Sequence, residues 1–238
     1  MDTPVLLSVE NQTAIITLNR PERRNAINQA LLSGLYNAIE KVGTDANIRV
    51  AIITGTGKSF CSGLDLEAIF TENLFDPRGD GSDMPDLFAA CKKPIIGAVN
   101  GHAITGGFEL ALNCDFLIAS ESASFIDTHA KIGIHPGWGM TQLLQQAVGR
   151  RRARQISFTC KPVSAKTACE WGLVNEVVPP DMLMPRAKEI AADICNVNPE
   201  MLEVVRTLIN HQDHVPLAEA YADERKGSAA FIRKHLKK

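Results

Sequence analysis

Two glycine-containing segments, each placed directly after an apolar strand-like run, constrain the fold of this chain more than any other feature. Residues 59–66 follow the apolar run 50–54, and residues 100–111 follow the apolar run 94–99. Glycine permits a tight turn and leaves no Cβ in the way of a bound group. Two strand-to-helix turns that lie side by side can direct two backbone N–H groups at one point. The sequence therefore predicts an α/β fold with a site built from main-chain donors.

Glu109 adds a carboxylate to the second of these turns. It lies three residues after Gly106, about one helical turn along, so it returns to the same face of the predicted helix. The first N–H groups of a helix lack intrahelical partners, and a carbonyl polarised by such donors can become an enolate. These features predict that Glu109 moves a proton at the α or β carbon of a substrate. The alternative is a helix carboxylate that faces solvent, although its neighbours are apolar and a buried carboxylate requires partners.

Composition excludes several other classes of protein. The chain has 238 residues, 45% of them apolar, and a formal net charge of −2, which indicates no polyanionic partner. We expect the basic cluster at 149–154 to be a solvated helix face rather than a nucleic-acid site. No apolar run reaches the roughly 20 residues of a membrane span, and the N-terminus does not resemble a signal peptide. Six cysteines without a C-x-x-C pair predict reduced thiols and no metal site, so we expect a cytoplasmic protein.

Hydrophobic periodicity predicts strands and helices that alternate in the first half of the chain and helices in the second half. A hairpin is predicted over 5–9 and 13–19, and an amphipathic helix over 29–42. Further strands are predicted at 49–54, 94–99 and 115–119, each followed by a turn and a helix. The polar segment 71–84 is predicted to be a mobile loop. We place a domain boundary near residue 180.

Five motifs in order give the chain a family resemblance. They are residues 16–28, with Arg20-Pro21; Ser62-Gly63-Leu64-Asp65; 100–115, with Glu109; 133–142, with Pro136-Gly137; and 165–178, with Trp171-Gly172. Together they resemble the crotonase superfamily, the enoyl-CoA hydratases and isomerases, over almost the whole length. The resemblance implies a crotonase-like α/β spiral of β-β-α repeats in residues 1–180. It also implies a C-terminal helical region, 181–238, that assembles the chain into a homotrimer or a dimer of trimers.

The resemblance also implies roles for individual residues. The N–H groups of Leu64 and Gly106 match the family's oxyanion hole, which holds the thioester oxygen of an acyl-CoA. Substrate-binding positions match five residues: Arg24, Ala26, Ser62, Gly63 and Asp65. For Asp65, helix capping is favoured over a role in chemistry, because a carboxylate is favoured at a helix start. Coenzyme A is part of the substrate, so no separate cofactor is expected.

Two positions depart from the family pattern. His129 stands where hydratases of this family have a second glutamate, and it is predicted to be the catalytic partner of Glu109. Asp127 could orient its imidazole or cap the following helix, and a structural role for His129 stays open. Trp138 occupies a position where hydratases usually have a small residue, so it could narrow the acyl pocket or fill the core.

The sequence therefore favours an enoyl-CoA hydratase that reversibly adds water to a 2-enoyl-CoA. Retention of Glu109 supports this choice, because the simple isomerases of the family tend to keep the second glutamate position instead. An enoyl-CoA isomerase that uses Glu109 as a single base is the alternative. A non-catalytic module that binds CoA or RNA is the alternative from a different class of protein.

Overall fold

The structure is a computed structural model that describes residues 3–235. Within these residues the chain divides into two compact units, 3–196 and 197–235. The first unit contains two β-sheets and most of the helices. The second unit contains two helices, α10 (Pro199–His211) and α11 (Leu217–His235), which contact each other.

A six-stranded sheet forms the centre of the first unit. Its strands are β1 (Val5–Glu10), β2 (Thr13–Leu18), β3 (Val50–Gly55), β5 (Ile95–Val99), β7 (Phe116–Ser120) and β10 (Glu176–Val178), in the spatial order in which they are given. β1 and β2 form the predicted antiparallel hairpin, and the remaining neighbours pair in parallel. The three strands predicted near 50, 95 and 116 are therefore adjacent, and their C-terminal ends lie at one edge of the sheet.

The central strands are apolar throughout because both faces of the sheet are covered. Along β3, Ala51 and Ile53 pack into the larger core with α1 (Gln29–Thr44), whereas Val50 and Ile52 pack against α9 (Leu183–Cys195). This burial on both faces is typical of parallel strands and explains the continuous apolar runs. Asn28 caps α1, since its side chain accepts a hydrogen bond from Leu31 N–H at 3.0 Å.

The first unit ends later than the boundary predicted near 180. One face of α9, which carries Leu183, Ala187 and Ala191, is buried on the six-stranded sheet. These positions are four residues apart and therefore form one helical stripe. Because α9 covers an otherwise open sheet face, it belongs to the core, and the division falls at residue 196. The role of the second unit in oligomerisation stays a prediction.

Short strands that follow the long ones form a second sheet. This sheet contains β4 (Ser59–Cys61), β6 (His102–Ile104), β8 (Ser124–Ile126) and β9 (Val163–Ser164). β4, β6 and β8 follow β3, β5 and β7 after tight turns, and the chain then enters α2 (Ala68–Thr71), α4 (Gly106–Leu112) or α5 (His129–Ile132). The result is the predicted stack of β-β-α repeats, which brings the starts of α4 and α5 close together.

The remaining helices surround these repeats. They are α3 (Met84–Ala90), α6 (Met140–Val148), α7 (Arg150–Thr159) and α8 (Ala165–Glu170). The segment between α2 and α3, predicted as a mobile loop, is attached to α1 by polar contacts. Gln29 Nε2 donates to Pro77 O at 2.9 Å, and Arg78 forms a bidentate pair with Glu40, with both N–O distances 2.7 Å. These contacts hold the segment against α1.

Candidate active site

The first glycine turn connects β4 to a short segment that pairs with residue 27. Ile27 N–H donates to Gly63 O at 2.7 Å, and Asp65 N–H donates to Ile27 O at 2.9 Å. Ile27 and Leu64 therefore form a parallel bridge, in which the N–H of Leu64 points away from Ile27. Gly63 has φ of +89°, and a Cβ there would lie 2.8 Å from Ile104 O, so the turn requires glycine.

The second glycine turn lies directly beside the first. Thr105, between β6 and α4, has φ of +50°, which is unusual for a β-branched residue and is a form of strain found at functional sites. A Cβ on Gly107 would overlap with the Cys61 carbonyl oxygen, so the two turns are in close contact. A Cβ on Gly106 would lie 3.6 Å from Leu64 N. The backbone donors of Leu64 and Gly106 are thus neighbours, as an oxyanion hole would require.

A cavity of about 490 Å³ opens over these two turns. This volume lies within the range of small-molecule sites. Its wall contains Leu64, Gly106, Glu109, His129 and Trp138, together with Ser62. Apolar side chains form much of the remainder: Leu66, Phe75, Ile132, Ile134 and Pro136. Main-chain donors, two titratable side chains and an apolar surface therefore converge on one space.

Glu109 is buried, with 2% of its surface exposed, and its carboxylate is held in a fixed orientation. Oε1 accepts hydrogen bonds from the backbone N–H groups of Trp138, at 2.9 Å, and Met140, at 3.3 Å. Oε2 lies 3.6 Å from Nε2 of His129, a distance typical of an ion pair rather than of a direct hydrogen bond. Only one oxygen of Glu109 is thus bound by neutral donors, and the other faces the histidine.

His129 bridges two carboxylates at the start of α5. Its Nδ1 lies 2.7 Å from Oδ1 of Asp127, and its backbone N–H donates to the same oxygen at 3.1 Å. Asp127 therefore performs both roles considered from the sequence, since it orients the ring and binds the helix start. Burial alone would lower the pKa of His129, but the hydrogen bond that its ring donates to Asp127 and the nearby Glu109 carboxylate raise it to about 9. The same contact with His129, opposed by burial, leaves the pKa of Asp127 below its usual range.

The predicted substrate-binding residues differ in where they lie relative to the cavity. Ser62 lines the cavity, and Gly63 forms the turn beneath it. Arg24 is exposed and Ala26 is buried, and both lie beside the first turn, where Ser62 N–H donates to Arg24 O at 3.1 Å. Asp65 does not line the cavity. Its carboxylate binds both terminal nitrogens of the Arg20 guanidinium at 3.1 Å and accepts Glu67 N–H at 3.2 Å. These structural contacts favour the capping interpretation of Asp65 over substrate binding.

Trp138 lines the cavity and also packs against the core, and its narrowing of an acyl pocket stays a prediction. Its Cζ3 atom would lie 3.3 Å from a Cβ on Gly106. Its indole N–H donates to Oδ1 of Asp83 at 3.0 Å, and its backbone carbonyl accepts from Asn113 Nδ2 at 2.8 Å. The indole is therefore fixed next to one of the two neighbouring backbone donors.

Three residues at this site, Arg20, Asn25 and Asp83, have contacts that the sequence does not predict. Arg20 ties the two loops together, since it binds Asp65 and also donates to Ala26 O at 2.6 Å. Asn25, fully buried with φ of +56°, donates from Nδ2 to Ser59 O at 2.8 Å and Phe60 O at 3.1 Å. Asp83 caps α3 and accepts a hydrogen bond from the indole N–H of Trp138. An Asp before Met-Pro signals a helix start, but no local signal indicates a contact with a residue 55 positions later.

Comparison with known proteins decides the family. The family model described as Enoyl-CoA hydratase/isomerase matches residues 8–238. The chain belongs to this family. It is 40% identical over 221 residues to a probable peroxisomal enoyl-CoA hydratase 1 of Arabidopsis thaliana, a match that covers 92% of this chain and 82% of that protein. It is 37% identical over 229 residues to a short-chain-enoyl-CoA hydratase of Clostridium acetobutylicum, covering 94% of this chain and 88% of the relative.

Solved structures of the enoyl-CoA hydratase/isomerase family confirm the predicted fold class. The crystal structure of an enoyl-CoA hydratase from Bacillus anthracis superposes with a TM-score of 0.88 at 34% identity, covering 97% of this chain and 91% of that one. Within residues 3–235, no group of three metal-ligating side chains is assembled. No helix in that part of the chain is long and apolar enough to cross a membrane.

Proposed function

We propose that this chain is an enoyl-CoA hydratase that reversibly adds water to a 2-enoyl-CoA. The observation that carries the proposal is the Glu109–His129 pair, which faces a cavity over two adjacent backbone donors. Family membership and relatives named as hydratases support the substrate class. The reaction needs no separate cofactor, because coenzyme A is part of the substrate.

In the proposed mechanism, the N–H groups of Leu64 and Gly106 form an oxyanion hole for the thioester oxygen. Such donors stabilise the negative charge that develops when the carbonyl becomes an enolate. The donors cost no reorganisation during the reaction, because the Ile27–Leu64 bridge and the close contact of Gly107 with Cys61 fix both turns. The Cα and Cβ atoms of the substrate would then lie over Glu109 and His129.

The proton steps divide between these two side chains. Glu109 Oε2 takes a proton from water while the water oxygen bonds to Cβ, and His129 Nε2–H gives its proton to Cα. The product gains a hydrogen at Cα from His129 and a hydroxyl at Cβ from water, and Glu109 holds the second water proton, so the sum is the addition of one water. The site is restored by exchange with solvent, in which Glu109 releases its proton to water and His129 takes one up, because 3.6 Å between Oε2 and Nε2 is too long for direct transfer. The raised pKa of His129, about 9, keeps the imidazole protonated at neutral pH, as this step requires.

An isomerase that uses Glu109 alone is the competing reaction. It needs a single group that removes a proton and returns it at another carbon. The presence of a second proton-carrying group, His129, within ion-pair distance favours hydration. A binding module without catalysis would have no need for a buried, charged pair inside the cavity, because burying charges costs free energy.

Measurements on acyl-CoA substrates distinguish a hydratase, an isomerase and a binding module. Loss of the conjugated-enoyl absorbance of crotonyl-CoA, with uptake of oxygen from labelled water, is expected for a hydratase. Appearance of that absorbance from a 3-enoyl-CoA would instead identify an isomerase. Binding of acyl-CoA without either reaction, across a panel of chain lengths, would contradict both enzymatic proposals and favour a binding module.

Two further properties are proposed on the family resemblance. We expect a homotrimer or a dimer of trimers, which light scattering of the purified full chain would detect, and a monomer would contradict this. We expect a cytoplasmic location, although the Arabidopsis relative is named as peroxisomal. Cell fractionation distinguishes the two compartments.

A further inference from the structure

One wall of the cavity is formed by two residues that hold each other, Trp138 and Asp83. The indole N–H of Trp138 donates to Oδ1 of Asp83 at 3.0 Å, and both residues line the cavity. The other side of the Trp138 ring lies against Gly106. The backbone N–H of Trp138 also binds Glu109 at 2.9 Å. Trp138 is therefore held on one side by Glu109, through its backbone, and on the other by Asp83 at the start of α3, through its indole.

Asp83 brings a negative charge to this wall. Its Oδ1 accepts hydrogen bonds from Met84 N–H, at 2.8 Å, and from the Trp138 indole, and both donors are neutral. Within residues 3–235, no cation forms an ion pair with this carboxylate. Asp83 and the Trp138 indole that it binds are both half-buried, whereas the apolar cavity residues Leu66 and Phe75 are exposed. A second carboxylate that approaches Asp83 would therefore meet like charge at a half-buried site, which is unfavourable.

We infer that the Trp138–Asp83 wall determines which acyl groups the site accepts. This inference rests on the proposed function, which places the thioester oxygen at Leu64 and Gly106. Carbon atoms beyond Cβ then run past the indole beside Gly106. The wall shortens the space for straight chains, and the charge of Asp83 excludes acyl groups that end in a carboxylate. The preferred substrates are short, uncharged 2-enoyl-CoAs.

Two substrate ratios measure the two parts of this wall separately. The ratio of kcat/KM for 2-octenoyl-CoA to that for crotonyl-CoA reports chain length. The ratio for 2,3-dehydroadipyl-CoA to 2-hexenoyl-CoA reports charge at equal chain length. Each ratio is internal to one variant, so a general loss of activity or of folded protein cancels.

Asp83→Asn tests the charge of Asp83 most specifically. Asparagine keeps an oxygen that can accept from Met84 N–H and from the indole, and it is an equally good helix cap, but it removes the charge. We expect the dehydroadipyl-to-hexenoyl ratio to rise by about 10-fold, while the octenoyl-to-crotonyl ratio stays unchanged. An unchanged charge ratio in Asp83→Asn would overturn the role of Asp83.

Trp138→Ala tests the length of the pocket. We expect the octenoyl-to-crotonyl ratio to rise by at least about 10-fold, because methylene groups gain apolar contacts that the indole had occupied. Trp138→Phe keeps an aromatic ring but lacks the N–H, so its length ratio should lie between those of the unaltered chain and Trp138→Ala. An unchanged length ratio in both variants would overturn the role of Trp138.

Failure of the proposed function would be visible separately, as an unaltered chain that hydrates none of the four substrates. In that case, calorimetric binding of saturated hexanoyl-CoA, octanoyl-CoA and adipoyl-CoA to the same variants makes the same comparisons without turnover. Equal affinity changes for adipoyl-CoA and hexanoyl-CoA in Asp83→Asn would contradict the inference. A selective gain for adipoyl-CoA would support it.

Discussion

Each of the two glycine turns is followed by a buried carboxylate, yet the two carboxylates have different surroundings. Asp65, after the first turn, is 8% exposed and binds the guanidinium of Arg20. Glu109, after the second turn, is 2% exposed and binds two backbone N–H groups and faces His129. Arginine stays charged at every relevant pH, whereas histidine can gain or lose a proton.

Burial and position after a glycine turn therefore do not identify a catalytic carboxylate, whereas the chemistry of its partner distinguishes the two. A permanent cation neutralises Asp65 and joins two loops, which is a structural task. A titratable partner inside a cavity leaves Glu109 able to exchange a proton.

The largest effect is expected for Glu109→Gln. Removal of the group that we propose activates water should lower kcat for hydration of crotonyl-CoA by about 10³-fold, within the range for a general base. Acyl-CoA binding, measured by calorimetry, should be retained, since the oxyanion donors are unchanged. Glu121→Gln, at an exposed carboxylate outside the cavity over the two turns, is the control and should keep full activity. Full activity in Glu109→Gln would refute the catalytic role of Glu109.

Asp65→Asn should affect stability instead. It leaves Arg20 partly buried without its charge partner, so the free energy of unfolding should fall by about 3 kcal/mol, measured by urea denaturation. Glu67→Gln is the matched control, because the Arg23–Glu67 pair has a similar distance, 3.3 Å, but both side chains are exposed. That variant should lose no more than about 0.5 kcal/mol. If Asp65→Asn lost turnover but kept its stability, Asp65 would have a catalytic rather than a structural role.

How much of this could be predicted from the sequence depends on the range of the interaction. The hairpin, α1 and the parallel strands follow from local periodicity, and the two turns follow from glycines next to apolar runs. Adjacent contacts such as Asp127 with His129 were within reach, because the two residues are two positions apart. The α/β class and the family were therefore accessible without coordinates.

Contacts between distant segments were not accessible. Arg20 and Asp65 are 45 positions apart, and Trp138 and Asp83 are 55 apart. Nothing in the local sequence pairs them, since their proximity is a product of how the repeats stack. The boundary predicted near 180 was displaced for the same reason: helical periodicity in α9 is visible, but its burial on the sheet is not.

His129→Gln should lower kcat by about 10²-fold, because it removes the proposed proton donor to Cα. The effect should depend on pH in the unaltered chain: kcat should fall as pH rises through about 9, where His129 loses its proton. His102→Gln is the control, because His102 is exposed and bonded to Ser124. If kcat of His129→Gln fell through about pH 9 as it does in the unaltered chain, the fall could not be assigned to His129.

The smallest expected effect is the pH dependence of stability that His129 produces. Its pKa is about 9 in the folded chain and about 6.5 when unfolded. The folded state binds the proton more tightly, so this stabilisation is complete below the unfolded value and is lost as pH rises through the folded one. Between pH 7 and pH 9 the free energy of unfolding should fall by about 2 kcal/mol. His129→Gln should remove this decrease, whereas Asp65→Asn should keep it, because the Arg20 guanidinium does not titrate in this range. If the free energy of unfolding changed equally with pH in the unaltered chain, His129→Gln and Asp65→Asn, the Glu109–His129 contact would not hold a proton. The distinction between the two carboxylates would then fail.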